Sequence, residues 1–363
     1  MTNRLVLENL KHRPIRTLLS AVAIGVQVTM VLTLVGLSRG TLQEMANRSR
    51  GVGADIVVRP PGSVAISFSG NMSAGILKLV REQIPHIGLA TGTLVEPTSA
   101  FDSVTGIHLD EFSQLSGGFK YLAGGPFAGP DDMLVDSVYA RSHKTKIGDK
   151  IDLKGREWRV SGIVESGKLA RMFVPIETLQ DISANTNKIT AVYVKLDNPA
   201  NEAETMRILR EKLSNYQIYS MEQMASLFSA DNGPLLAQFI RVVEGLGVFI
   251  GFLVVFLSMY TAVLERTREI GVLKALGASP GYILNILLRE TAVLSLVGSV
   301  LGIIFTYGSQ WLINTFVSSM TQVIVPDWWP IAAAISLIGS LVGALYPGLK
   351  AAQQDAIEAL AYD

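Results

Sequence analysis

The chain has 363 residues, of which 49% are hydrophobic and 17% charged, well under the roughly 25% charged residues of an average soluble domain. Its formal net charge is zero and it has no cysteine. Those counts exclude disulfides, thiolate catalysis and cysteine metal sites, and leave no electrostatic footprint for nucleic acid.

The first predicted element is an N-terminal piece, residues 1–16, with Leu5, Leu7 and Leu10 beside Lys11, Arg13 and Arg16. It is expected to lie as an amphipathic elbow on the cytoplasmic membrane surface. Residues 17–37 form the first of four stretches free of Asp, Glu, Lys and Arg, each near the ~20 residues a helix needs to cross a bilayer core. The others lie in Gly245–Val263, within Thr291–Val317 and in Trp328–Leu349. The first is too long for a signal peptide, and "SRGTL" after it lacks a small-x-small cleavage pattern, so it reads as an uncleaved anchor.

Residues 38–234 read as a mixed α/β domain. "ADIVVRP" predicts a strand and "AGILKLVREQI" a helix. "DKIDLKGREWRVSGIVES" predicts a hairpin turning at Lys154-Gly155, because the alternation breaks there. "ITAVYVKLD" is a further strand, and "NEAETMRILREKLSNY" is a helix with Met206, Leu209 and Leu213 inward. "GIVESGKL", Gly162 to Leu169, falls one residue short of a phosphate-binding loop. Leu169 stands where the magnesium-binding hydroxyl belongs, so the Gly-Lys is read as a loop tip after a strand. His12, His86, His108 and His143 stand apart, without metal-ligand spacing, and no Ser-His-Asp or paired-carboxylate constellation appears.

Arg4, Lys11, Arg13 and Arg16 precede the first span, and Arg266, Arg268, Lys274 and Arg289 lie between spans two and three. Residues 318–327, between spans three and four, carry no Lys or Arg. By the positive-inside rule both termini and the middle loop are cytoplasmic and the large insertion is outside. In the middle loop, residues 265–290, a short helix is expected to stop at Gly277, with Ser279 as N-cap and Pro280 opening the next helix. Gly36 and Gly40, Gly247 and Gly251, Gly298 and Gly302, and Gly339 and Gly343 are G-x-x-x-G pairs. Such pairs let membrane helices approach closely, and one pair in the first or second span is expected to serve a dimer. Gln27, Gln310 and Asn314 read as helix contacts, since no ionisable residue marks an ion pathway in the spans.

"ERTREIGVLKALGAS" resembles the signature segment of the MacB/FtsX-like (type VII) ABC transporter permeases. The match includes Glu265, Arg266, Arg268, Glu269, Ile270, Gly271, Lys274, Ala275, Leu276, Gly277 and Ala278. "NLKHRPIRTLLSAVAIGV" resembles the family's elbow and first span, and "YPGLKAAQQDAIEAL" its C-terminal end.

The fold class expected is an α-helical membrane protein with four transmembrane helices and a mixed α/β extracytoplasmic domain between helices 1 and 2. The resemblance implies a stalk end and second span over 235–264, and a coupling helix in 265–290 that docks on a cytoplasmic ATPase. Leu273 joins the residues of that coupling segment. Spans three and four follow at 291–317 and 328–349, then a cytoplasmic tail over 350–363. The resemblance further implies two ATPase copies, which bind ATP and Mg, and a second permease copy or homologue. An outer adaptor or lipoprotein and membrane lipid complete the expected partners. This chain itself would carry no cofactor and no catalysis. The expected function is mechanotransmission for export or extraction of a lipid, lipoprotein, peptide or drug at the inner membrane. The alternative is a regulatory transmitter that activates an outer partner such as a cell-wall hydrolase.

Overall fold

A computed structural model describes residues 14–63, 70–98, 103–227, 234–264, 271–272, 274–316 and 320–353. The chain divides into two units. The helical unit takes Met1–Gly40, Gln238–Thr315 and Gln322–Asp363; the sheet unit takes Thr41–Ala237 and Phe316–Thr321.

The helical unit draws on four long helices: α1 (Pro14–Arg50), α8 (Pro234–Leu264), α9 (Pro280–Phe316) and α10 (Trp329–Gln353). Thr17–Arg50, Pro280–Phe316 and Pro326–Lys350 are long and apolar enough to cross a membrane. The second predicted span lies within α8, a helix of 31 residues. Helices α1 and α9 run well past their sequence-based bounds. The first does not stop at Leu37 but continues unbroken to Arg50. The third begins at Pro280, so it also takes up the end of the preceding loop. Hydropathy marks where lipid ends, not where backbone hydrogen bonding ends, and "SRGTLQEMANRSR" propagates a helix in water as well.

The connection 318–327 departs from the simple outer loop expected. Gln322 is 1% exposed. Val325 packs with Val28, Val31, Leu32 and Val35 of α1, and the Val323 N–H donates to the Gly36 carbonyl at 3.1 Å. The Gln322 amide lies within hydrogen-bond reach of Thr33 and Ser309. Those hydroxyls let a polar side chain enter an apolar interior.

In the sheet unit, β1 (Ile56–Arg59), β3 (Ile87–Pro97), β4 (Ser103–Ile107), β5 (Tyr121–Gly124), β6 (Asp132–Asp136), β7 (Lys150–Leu153), β8 (Arg156–Val164), β9 (Met172–Pro175), β11 (Ala191–Leu196) and β12 (Gln217–Ser220) make one sheet. Its order is β12-β1-β11-β3-β4-β9-β6-β8-β5, with β7 also on β8. The pairs β4–β9 and β6–β8 are parallel, and the rest are antiparallel. The predicted hairpin turns at Lys154 and Gly155, both with positive φ. Short strands β2 (Met72–Ser73) and β10 (Lys188–Ile189) form a second sheet.

Strand alternation sends side chains to two cores. Ile56, Val58, Leu94, Val135 and Trp158 point to one face, shared with Val80, Leu179 and Leu209. These last three come from helices α2 (Gly75–Gln83), α5 (Ile176–Ile182) and α6 (Glu202–Lys212). Val57, Leu134, Phe173 and Tyr193 point to the other face. There they meet α3 (Leu109–Ser116) and α7 (Met221–Leu227), and Ala46 from the end of α1. Burial there raises the Tyr193 phenol to about 12. The remaining helix, α4 (Ser137–His143), follows β6 and is capped by the Asp136 carboxylate accepting from the Tyr139 N–H at 2.7 Å. Burial pushes that carboxyl above the ordinary aspartate range.

Candidate functional site

Of the expected coupling residues, Glu265, Arg266, Arg268, Glu269, Ile270 and Leu273 lie outside the described residues. Residues 271–272 and 274–275 are helical, which places Gly271, Lys274 and Ala275 on that turn. The turn ends where Gly277 takes φ +88°, donating its N–H to the Lys274 carbonyl at 2.9 Å. Only glycine adopts that conformation without Cβ strain. Ser279 then accepts from the Tyr282 N–H at 3.3 Å, starting α9 at Pro280.

Ala278 is partly buried against the apolar cluster that includes Ile283 and Leu287. Val272 and Leu276 do the opposite: Leu276 is 80% exposed and Val272 is 45% exposed. The Leu276 N–H donates to the Val272 carbonyl, so the two are one helical turn apart. Val272, Ala275 and Leu276 thus form an uncovered apolar ridge between two long helices. Sequence reasoning passed over Val272, whose signal is its i,i+4 relation to Leu276.

The glycine pairs are filled from within the chain. A Cβ on Gly298 would stand 2.6 Å from the Ile24 side chain, and one on Gly302 would stand 2.6 Å from Val28 and 2.7 Å from the Gly25 carbonyl. The Thr29 hydroxyl donates to the Gly302 carbonyl at 3.0 Å. Gly339 and Gly343 meet Phe252 and Phe256 of α8. Gly247 meets Leu34, and Gly251 lies flat on the Gln27 amide. Gly36 backs onto the Val323 carbonyl, and Gly40 is buried in the same helix. Gly36, Gly247 and Gly251 already have neighbours in this chain, because close backbone approach is what holds these helices together. Gln310 donates to the Gln322 carbonyl at 3.1 Å. Gln27 is 3% exposed, and its amide has no hydrogen-bond partner among the described residues.

The end of α1 is gripped by the sheet unit through one face. Arg171 donates to Glu44 at 2.8 Å. The Leu169 N–H donates to the Arg48 carbonyl at 3.1 Å. Gly51 abuts the Gly167 carbonyl so closely that no Cβ fits. Positions 44, 48 and 51 follow helical spacing, so all three grips fall on the same side. From the connection after α9, the Thr321 hydroxyl donates to the second Glu44 oxygen at 2.7 Å.

The Gly-Lys of the near phosphate-binding loop belongs to this grip. Lys168 donates to the Ser116 carbonyl, capping the end of α3, and lies 5.7 Å over the Phe119 ring. Burial lowers its ammonium pKa below the ordinary lysine value. Its charge is engaged by a helix C-terminus and a ring face.

Comparison with known proteins covers parts of both units. The family model of the MacB-like periplasmic core domain matches residues 17–212, and that of the FtsX-like permease C-terminal domain matches residues 242–356. The ABC transporter permease YknZ of Bacillus subtilis is 24% identical, over 99% of this chain and 98% of its own. The macrolide export ATP-binding/permease protein MacB of Escherichia coli is also 24% identical, over 99% of this chain but 60% of its own length. The crystal structure of the periplasmic region of MacB from Actinobacillus actinomycetemcomitans is similar at 15% identity and a TM-score of 0.37, covering 48% of this chain and 92% of that one. The chain belongs to the MacB/FtsX-like family of ABC transporter permeases.

Proposed function

We propose that this chain is the membrane subunit through which a separate cytoplasmic ATPase, present in two copies that bind ATP and Mg, moves the outer sheet domain. The observation that carries this reading is the exposed ridge of Val272, Ala275 and Leu276 between two long helices. An apolar ridge on a short helix fits a groove in a partner protein. Glu265, Arg266, Arg268 and Glu269 supply a charged flank that favours selective pairing.

The proposed topology has four spans, with α8 as the second, and cytoplasmic termini at the inner membrane. Trp311, Trp328 and Trp329 and the exposed Arg39–Asp327 pair at 2.6 Å support a water–bilayer boundary on the outer side. A second permease copy completes the working unit, whose cargo is a lipid, lipoprotein, peptide or drug. The substrate need not enter the spans, which carry no ion-coupling residue. MacB is named for macrolide export, and a drug is one of the cargo classes proposed here for this chain.

The test is affinity purification of the tagged chain in mild detergent, with ATPase assay of the eluate. A stoichiometric ATPase is expected with the wild-type chain. Ala275→Trp and Leu276→Asp should each lose it while inserting normally. Co-purification of both variants at the wild-type level would show that the ridge is not the ATPase contact.

A further inference from the structure

We infer that Glu44 is the positioning residue through which two membrane elements act together on the sheet domain. This inference rests on the permease reading above. Its basis is that one carboxylate, through two partners, joins three parts of the chain. Glu44 lies on the continuous helix Pro14–Arg50. Its Oε1 accepts from Arg171, in the loop leading into β9, at 2.8 Å. Its Oε2 accepts from Thr321, in the connection between α9 and α10, at 2.7 Å.

The two neighbours transmit different motions. Arg171 is 12% exposed, and its carbonyl accepts from the Asp136 N–H at 2.8 Å. It is thereby fixed to β6 and β9 at the centre of the sheet. Thr321 is followed directly by Gln322 and Val323, which hold Thr33, Ser309 and Gly36. A rotation of α1 or a shift of α9 against α10 therefore reaches the sheet at the same side chain. Arg48, 3.9 Å from the same carboxylate, adds a second positive charge beside it. A charge-assisted pair with a second acceptor bond is directional. Helix motion thus turns the Arg171 loop rather than slipping past it.

The other grips on this helix are of a different kind. The Leu169–Arg48 contact is backbone to backbone, and Arg50–Glu222 is an exposed ion pair at 2.8 Å. Neither involves the connection after α9. Only Glu44 joins the three among the described residues.

Hydrogen–deuterium exchange on the purified chain–ATPase complex, with and without ATP plus vanadate, tests this. In wild type, nucleotide should change exchange both in residues 14–40 and in β6 and β9. In Glu44→Gln and Arg171→Met the response of residues 14–40 should remain, while that of β6 and β9 falls by about tenfold. ATPase rate and thermal midpoint should stay near wild type. The charge swap of Glu44→Arg with Arg171→Glu should restore the response. Thr321→Val, a near-isosteric change at one hydroxyl, should give a response between wild type and Glu44→Gln. Responses of wild-type size in β6 and β9 of all three single variants would overturn the inference and leave the permease reading standing. Absence of an ATPase from the wild-type preparation would remove both.

Discussion

Trp158, Phe112 and Phe173 are fully buried in the sheet unit, whereas in the helical unit Phe249, Tyr307 and Trp311 face outward. Inside the helical unit are Gly298, Gly302, Gly339 and Gly343, with Ser295, Ser336 and Ser340. The inversion follows from the solvent. In water, a buried aromatic ring contributes through the surface it removes from water. In lipid that term vanishes between helices, and close backbone contact and hydroxyl bonds remain. The Ser295–Ser336 pair at 3.1 Å and the Thr33–Ser309 pair at 2.8 Å are such bonds. In this chain, these aromatic rings are therefore buried in one unit and exposed in the other.

That contrast can be broken by substitution. Trp158→Ala should have the largest effect, about 3–5 kcal/mol, through the cavity left beside Val135 and Val160. Calorimetry in detergent should show a lower midpoint for the sheet unit's transition alone. The reverse change, Gly302→Leu, should cost about 1–3 kcal/mol by overpacking against Val28 and the Gly25 carbonyl. It should move the helical transition and leave the sheet transition in place. Gly125→Ala is its control, since a Cβ there meets nothing within 4 Å. Equal shifts from Gly302→Leu and Gly125→Ala would remove the packing role assigned to the pair.

The smallest effect has the opposite sign. Gln27→Leu should stabilise the helical unit by about 1 kcal/mol, because it deletes a buried amide left without partners. Reversible unfolding in mixed micelles should show a higher midpoint. A lower midpoint would mean that the amide finds a partner outside the described residues.

How much was legible in the sequence differs between the units as well. The charge-free stretches placed the long helices, since lipid excludes ionised side chains, and alternation placed β1, β8 and β11. The end of α1 was not legible. Glu44, Arg48 and Gly51 look like solvent-facing loop until Arg171 and Gly167 are known to lie against them. The burial of Gln322 was hidden for the same reason, since its Thr33 partner is 289 residues away. The parallel pairing of β4 with β9 is likewise a long-range choice that no local pattern records. For the coupling site, Gly277 and Ser279 announced the turn through their own chemistry. The exposure of Val272 and Leu276 is a property of what surrounds them. Lys168 shows the limit of motif reading: the missing hydroxyl at Leu169 argued against nucleotide, but the helix end it caps became visible only in three dimensions.

The contacts of Gln322 also set an order of assembly. The chain emerges N-terminus first, so α1 enters the membrane long before Ser309, Gln322 and Val323 exist. During that interval Thr33 and Gly36 face lipid without their partners. The far end of the same helix is in a different position, because Ala46, Val52 and Glu44 find Phe112, Phe173 and Arg171 as soon as the sheet domain has folded. The helix thus gains its partners at the Arg50 end first. The segment 320–323, made after the sheet domain, then supplies the contacts that Thr33 and Gly36 lack until that point.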